Sequence, residues 1–478
     1  MWEWINETVM SFRKCFRREA AFKWFVVVVI GMMIWKEHLG VSSLVRELWI
    51  DPRHYETLLH FYRSSAWNLE GIRNQWMQTV KKAGVMFEEE GMPILVGDGT
   101  KQAKEGKRMP CVKKLYQESE NSAKPAYMYG HMFGAIGVLV GGLEKLFCLP
   151  LSITIHDGDK QINGWKHSQA EEESHVQRLI RQACQVASKF VPSILLLDRY
   201  FLSVPALTVL AEEEKRMGRP LLSIVTKAKS NAVAYEKPVR KTGRGRPPLK
   251  GKSIKLNDLF KQKERFTQAT VQMYGVMESV SYLCVDLLWG QKLYRELRFV
   301  LVLCGNQSSI LVSTNLNFSP LKIIRLYSYR FKIECCFREL KQVIAGLAYR
   351  FWSRSMPLLD RHAKPGTDPL ATLTQDYERK RIINTYNATH GFVMFACIAM
   401  GLLQICALQF SNVLNASPIR WLRTRTNRIP SEATTADFLR KSIFRMLHLK
   451  PGLPIFHFIR ELQFPPNDLS LVDLDRCA

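Results

Sequence analysis

Residues 193–201 read Ser-Ile-Leu-Leu-Leu-Asp-Arg-Tyr-Phe, an unbroken apolar run that stops at a carboxylate. A strand buried on both faces has this pattern, because neither side of its pleat meets water. The flanks say what covers it. Ser174–Ser188 before it and Val204–Met217 after it have helical periodicity, and Leu221–Val225 reads as a further buried strand. Upstream lie three apolar runs in series: Ile94–Val96, Tyr127–Val140 with Gly130, Gly134 and Gly137, and Leu146–Ile155. Strands in series, then strands alternating with helices, predict an α/β (α+β) layer fold.

Beyond this block the character changes in both directions. Residues 1–90 read as helical, with Val41–Leu48, an Asp51-Pro52 turn and Tyr55–Trp67 carrying His54, His60 and Arg63. Such a pair is either an ordinary helical hairpin or a DNA-reading unit. Residues 230–318 open with a Gly/Pro-broken basic stretch and continue as alternating, β-rich sequence; the last third is mainly helical, and no internal repeat is present. Trp24–Trp35 is too short to span a bilayer, and Gln404 and Gln409 interrupt Gly391–Phe410, so both are expected in the protein core, with no membrane partner.

The chain has 478 residues with 47% hydrophobic side chains, which excludes a disulfide-stapled miniprotein or a disordered tail. Lys and Arg number 68 against 43 Asp and Glu, a net charge of +25 that calls for a polyanionic partner. The eleven cysteines include no Cys-x-x-Cys pair, which disfavours structural zinc; several lie inside apolar runs, as reduced thiols of a cytoplasmic protein do.

Two aspartates follow apolar strands: Asp98 in Gly97-Asp98-Gly99-Thr100, read as ending the Ile94–Val96 strand, and Asp198 in Asp198-Arg199-Tyr200-Phe201. Carboxylates so placed sit at the C-terminal edge of the sheet, where α/β folds bind ligands. Ser319-Pro320 is a favourable helix start, and the segment on to about Gln342 has helical periodicity. On one continuous helix at about 100° per residue, Tyr327, Arg330, Glu334 and Lys341 share one face. Asp98, Asp198 and Glu334 would together supply oxygen ligands for two hard divalent cations, the arrangement used for in-line phosphoryl transfer. Asp157, Asp159, Glu171–Glu173 and Asp286 are read as structural carboxylates.

Tyr327-x2-Arg330-x3-Glu334-x6-Lys341 resembles the Tyr-Arg-Glu-Lys signature of a group of bacterial insertion-sequence transposases of the DDE class. The Asp-Gly-Thr and Asp-Arg-x-Phe contexts and the order Asp, Asp, Glu agree with it. The resemblance covers roughly residues 90–350 and implies an RNase H-like mixed sheet flanked by helices. With the elements read along the chain, the expected organisation is a helical N-terminal region at 1–90, core at 91–229, basic loop and β-rich insertion at 230–318, glutamate helix at 319–350 and a helical region at 351–478, the two terminal regions matching the family only in general helical character. The resemblance implies Asp98, Asp198 and Glu334 as catalytic metal ligands for two Mg²⁺ ions, with Mn²⁺ as substitute. Tyr327, Arg330 and Lys341 would hold phosphates, a role that guanidinium and ammonium chemistry supports independently.

The implied activity is metal-dependent cleavage of transposon ends and strand transfer into double-stranded target DNA, by a homodimer in a bacterial, nucleoid-associated setting. A noncatalytic DNA-binding repressor and a metal-dependent nuclease without strand transfer are the alternatives. Trp289 of the insertion is a candidate to receive a flipped base, although core packing is the usual role of so large an aromatic. Arg244 and Arg246, in an extended Arg-Gly-Arg-Pro segment, are candidates for DNA contact, the minor groove of A·T-rich DNA included.

Overall fold

The computed structural model describes residues 1–37, 40–117, 125–166, 173–239, 247–362, 368–416 and 428–464. Helices come first: α1 (Trp2–Met10), α2 (Glu19–Ile34), α3 (Val41–Glu47), α4 (Tyr55–Tyr62) and α5 (Leu69–Ala83). Strands β1 (Glu88–Glu89), β2 (Met92–Ala103), β3 (Lys113–Tyr116), β4 (Tyr127–Gly142) and β5 (Lys145–Ile155) follow. Then come α6 (Lys160–Lys166), α7 (His175–Ala187), β6 (Ser193–Leu196), α8 (Val204–Met217) and β7 (Leu222–Lys227). Ser174 caps α7 through a capping box with Gln177, and Ser203 caps α8, whose first turn holds Pro205.

The order β5-β4-β2-β6-β7, antiparallel across the first three and parallel at β2–β6 and β6–β7, is an RNase H-like arrangement. Strands β8 (Val233–Tyr235), β9 (Ser253–Lys255), β10 (Thr267–Met273), β11 (Val276–Trp289), β12 (Arg295–Cys304) and β13 (Gln307–Ser313) carry the β-rich segment. They join the same sheet, because β13 pairs antiparallel with β7 and β12 and β11 follow outward. Asp286 and Arg298 face each other across β11 and β12 as an ion pair, the structural role expected of Asp286.

Helices α9 (Pro320–Ser328) and α10 (Lys332–Gln342) correct the single helix expected over 319–342. Ser319 does cap the start, with its side chain accepting from the Lys322 amide. From Ser328 to Phe331 the chain tightens instead: the amides of Tyr329, Arg330 and Lys332 bond three residues back, to Leu326, Tyr327 and Tyr329. The side chains explain the break, since Arg330 is drawn to Asp98 while the Phe331 ring packs on Tyr274 of the β10–β11 turn.

The C-terminal helices are α11 (Asp376–Gln409), α12 (Ser411–Asn415), α13 (Glu432–Leu449) and α14 (Pro454–Leu462). α11 packs on β5, α2, α5 and α13, and its most apolar window is 94% buried within the protein. α2 is buried along most of its length, as its all-round apolar sequence requires. Trp76 of α5 donates to the Pro150 carbonyl of β5 and presses against Gly401 of α11, where a Cβ would lie 2.2 Å from the Trp76 ring. Gly401→Val should therefore cost about 2 kcal/mol of stability by overpacking; an unchanged denaturation midpoint would contradict this reading of the contact.

Candidate active site

The two aspartates are positioned by one register. β2 and β6 run parallel with Val96 opposite Leu196, so Asp98 and Asp198 each stand two residues beyond that pair. The expectation that Asp98 ends its strand is corrected: β2 continues to Ala103, held by an antiparallel ladder with β4 from Leu95 to Ala103. Only the pairing with β6 stops, at Leu196, and this leaves Asp98 at an edge inside a long strand. Asp198 leads into a single 3₁₀ turn, Arg199–Phe201, and its carbonyl accepts from the Thr226 hydroxyl at 3.0 Å.

Asp98 accepts from the Gly99 amide at 2.7 Å and meets the Arg330 guanidinium at 3.2 Å. Burial pushes its carboxyl up to about 6; the Gly99 amide and Arg330 oppose the rise, while the nearby Asp198 and Glu334 charges add to it. Arg330 also pairs with Glu334, so one guanidinium bridges two of the three carboxylates. Glu334 itself is 58% exposed. The structure thus brings Asp98, Asp198 and Glu334 into one electrostatic neighbourhood, with Arg330 between Asp98 and Glu334. Among the described residues, no three carboxylate, imidazole or thiolate groups are arranged to hold one ion.

Of the face predicted for one helix, Tyr327 lies on α9, Arg330 in the tight turn, and Glu334 and Lys341 on α10. Lys341 reaches over β2, donating to the Thr100 hydroxyl at 2.9 Å and the Lys101 carbonyl at 3.0 Å. Burial lowers the pKa of Lys341 and raises that of the Tyr327 hydroxyl to about 12, so Tyr327 remains a hydrogen-bond donor.

Asp98, Asp198 and Lys341 line a cleft of about 1410 Å³. Trp289, half-buried at the end of β11, borders a side cavity of about 340 Å³ that shares Arg199, Lys229 and Asn231 with the cleft. Arg244 and Arg246, together with Glu171 and Glu172, lie outside the described residues. Asp157 and Glu173 are ion-paired, to Lys113 and Arg181, and Asp159 is buried in a pair with Arg178.

Sequence reasoning missed Lys229, Asn231 and His175, all of which line the cleft. The first two follow β7, the third parallel strand, so the strand-end rule that singled out the aspartates would have found them. His175 carried no such signal, being the first residue of an ordinary amphipathic helix.

A family model described as "DDE superfamily endonuclease" matches residues 11–276, a stretch that contains both aspartates and ends before Glu334. No curated protein and no solved structure gives a significant match. With more than half of the chain matched and the sheet order in agreement, the protein belongs to the DDE superfamily of endonucleases, enzymes that act on DNA.

Proposed function

We propose that the protein is a transposase of the Tyr-Arg-Glu-Lys group, which cleaves the ends of its element and joins them to target DNA. The observation that supports this most is the register of β2 and β6, which sets two aspartates at equivalent positions beside Arg330 of the tight turn and Glu334 and Lys341 of α10. The chemistry of the three carboxylates suits hard divalent cations, although Arg330 stands between Asp98 and Glu334 in this structure and the three are not gathered around one point: the guanidinium occupies the place of a cation beside a carboxylate buried among like charges. Asp98, Asp198 and Glu334 would hold Mg²⁺, or Mn²⁺ in its place. What such ions supply is activation of the attacking hydroxyl and neutralisation of charge on the departing oxygen.

The remaining steps fall to the chain's own side chains. Arg330 exchanges its carboxylate partners for a phosphate, which it grips through two N–H groups, and Lys341 adds a point charge over β2. Tyr327 donates its hydroxyl to a phosphate oxygen. Lys229 and Arg199 carry the positive lining toward Trp289. Two protomers act on paired ends, each protomer in contact with double-stranded DNA.

The deciding experiment incubates the protein with DNA carrying candidate terminal inverted repeats, with and without Mg²⁺, and maps nicks and joined products. Joined products support the proposal; nicks alone would reduce it to a nuclease, and binding without either to a repressor. Arg330→Ala should weaken DNA binding and lower the slope of log affinity against log salt by about 1. An unchanged slope, measured by titration at several salt concentrations, would remove Arg330 from the phosphate contacts.

A further inference from the structure

A chain of hydrogen bonds runs from the sheet to His175, which lines the cleft, and fixes the tautomer of its ring. Gln182 of α7 donates through its amide nitrogen to the Ser152 carbonyl at 3.0 Å and to the Gly134 carbonyl at 3.4 Å. Carbonyls only accept, so the orientation of this amide is settled and its oxygen is turned to His156 Nε2, 3.0 Å away. His156 Nε2 must therefore carry the proton, and in the neutral ring Nδ1 is a lone pair. That lone pair meets His175 Nδ1 at 2.9 Å, so His175 Nδ1 is the donor and His175 Nε2 is left unprotonated. Burial holds both rings in the neutral form, His156 at about 3 and His175 at about 4, with Arg178 the next contributor for each.

The free nitrogen is well placed. His175 lines the same cleft as Asp98 and Asp198. A Cβ on Gly99 would lie 2.8 Å from His175 Nε2, and the His175 ring packs 5.6 Å from that of Phe201. His175 thus sits between the segments that follow the two aspartates, and together with Met132 it leaves no room for a Cβ at position 99. The chemistry is selective as well. Lys229, Arg199 and Lys341 offer donors suited to phosphate oxygens, whereas an imidazole with only a lone pair has nothing to give a phosphate and is complementary to a hydroxyl.

We propose that His175 orients the attacking hydroxyl, water during cleavage and a DNA 3′-hydroxyl during joining, by accepting its hydrogen bond at Nε2. This rests on the transposase reading above. No bond is made or broken at His175, which remains neutral throughout.

The test compares the full-length protein with His175→Phe, which keeps a ring but no acceptor, and His175→Gln, which returns an oxygen to about the same reach. Single-turnover nicking of end DNA, and joining of a precut end, are each followed at saturating DNA. His175→Phe is expected to slow both reactions about 10²-fold with DNA affinity little changed, and His175→Gln to recover part of both rates. Wild-type rates in His175→Phe for either reaction, or a loss residing in DNA affinity alone, would overturn the proposal while leaving the transposase reading intact. Failure of the unaltered protein to nick would overturn both. Independently of the variants' folding, nitrogen NMR of ¹⁵N-histidine-labelled protein should show His175 protonated at Nδ1 and His156 at Nε2; the reverse pattern would also refute it.

Discussion

Asp98→Asn is expected to cut strand nicking by roughly 10²–10³-fold or more, the scale on which a single preorganised electrostatic partner acts, and at the same time to make the protein more stable. The substitution keeps size and shape and removes a charge that the fold holds at a cost. In the folded chain the Asp98 carboxyl has been pushed up to about 6 from an ordinary 3.8. Between those values the folded state binds the proton that the unfolded chain releases, so stability falls as pH rises through this window, and the whole penalty is present above about pH 6. Asn has no such titration. The variant should exceed the wild type by about 2–3 kcal/mol at about pH 8, with the difference gone near about pH 4. Nicking assays and melting curves across this range check both halves; a variant that still cuts, or one less stable in the alkaline half of the range, would contradict the placement of Asp98 as a strained functional carboxylate.

Asp159→Ala should have the opposite signature: a large loss of stability, roughly 3 kcal/mol, because it takes the carboxylate from a half-buried guanidinium and leaves it only the Ile155 carbonyl. Both Asp159 oxygens accept from Arg178 at 2.8 Å, and Tyr386 and Asn163 add bonds at 2.8 and 3.0 Å. Burial alone would raise the carboxyl, but Arg178 and the other donors hold it at about 2. Its contribution is therefore full above the ordinary 3.8 and fades as pH falls toward about 2. The pair joins the turn after β5 to α7 and, through Tyr386, to α11, so chemical denaturation should register its loss globally. Replacing Asp159 and Arg178 together by Leu and Met should restore much of the stability, since no buried charge then lacks a partner. A single-variant loss below about 1 kcal/mol would show the network to be solvated.

The strands and helices around Asp198 were legible because burial on both faces writes an apolar run and an amphipathic helix writes its period. Ser174, Ser203 and Ser319 mark their helix starts for the same local reason. The reach of β2 to Ala103 was not legible, since Gly97-Asp98-Gly99-Thr100-Lys101-Gln102 is polar and only its ladder with β4 keeps it extended. Nor was the break at Ser328–Phe331, where no Gly or Pro interrupts the helical period and the cause is the pull of Asp98 and Tyr274 from distant parts of the chain. Helix α7 was foreseen, but the tautomer of His175 depends on His156 and Gln182 meeting in space.

The pairing of β13 with β7 has a mechanical consequence. Because the ladder passes from the aspartates through β7 and β13 to the hairpin bearing Trp289 without a linker, these parts cannot swing independently unless backbone bonds between Val225–Lys227 and Leu311–Ser313 are broken. A nucleic acid that touches both ends of this plank must take up the distance between them by bending itself.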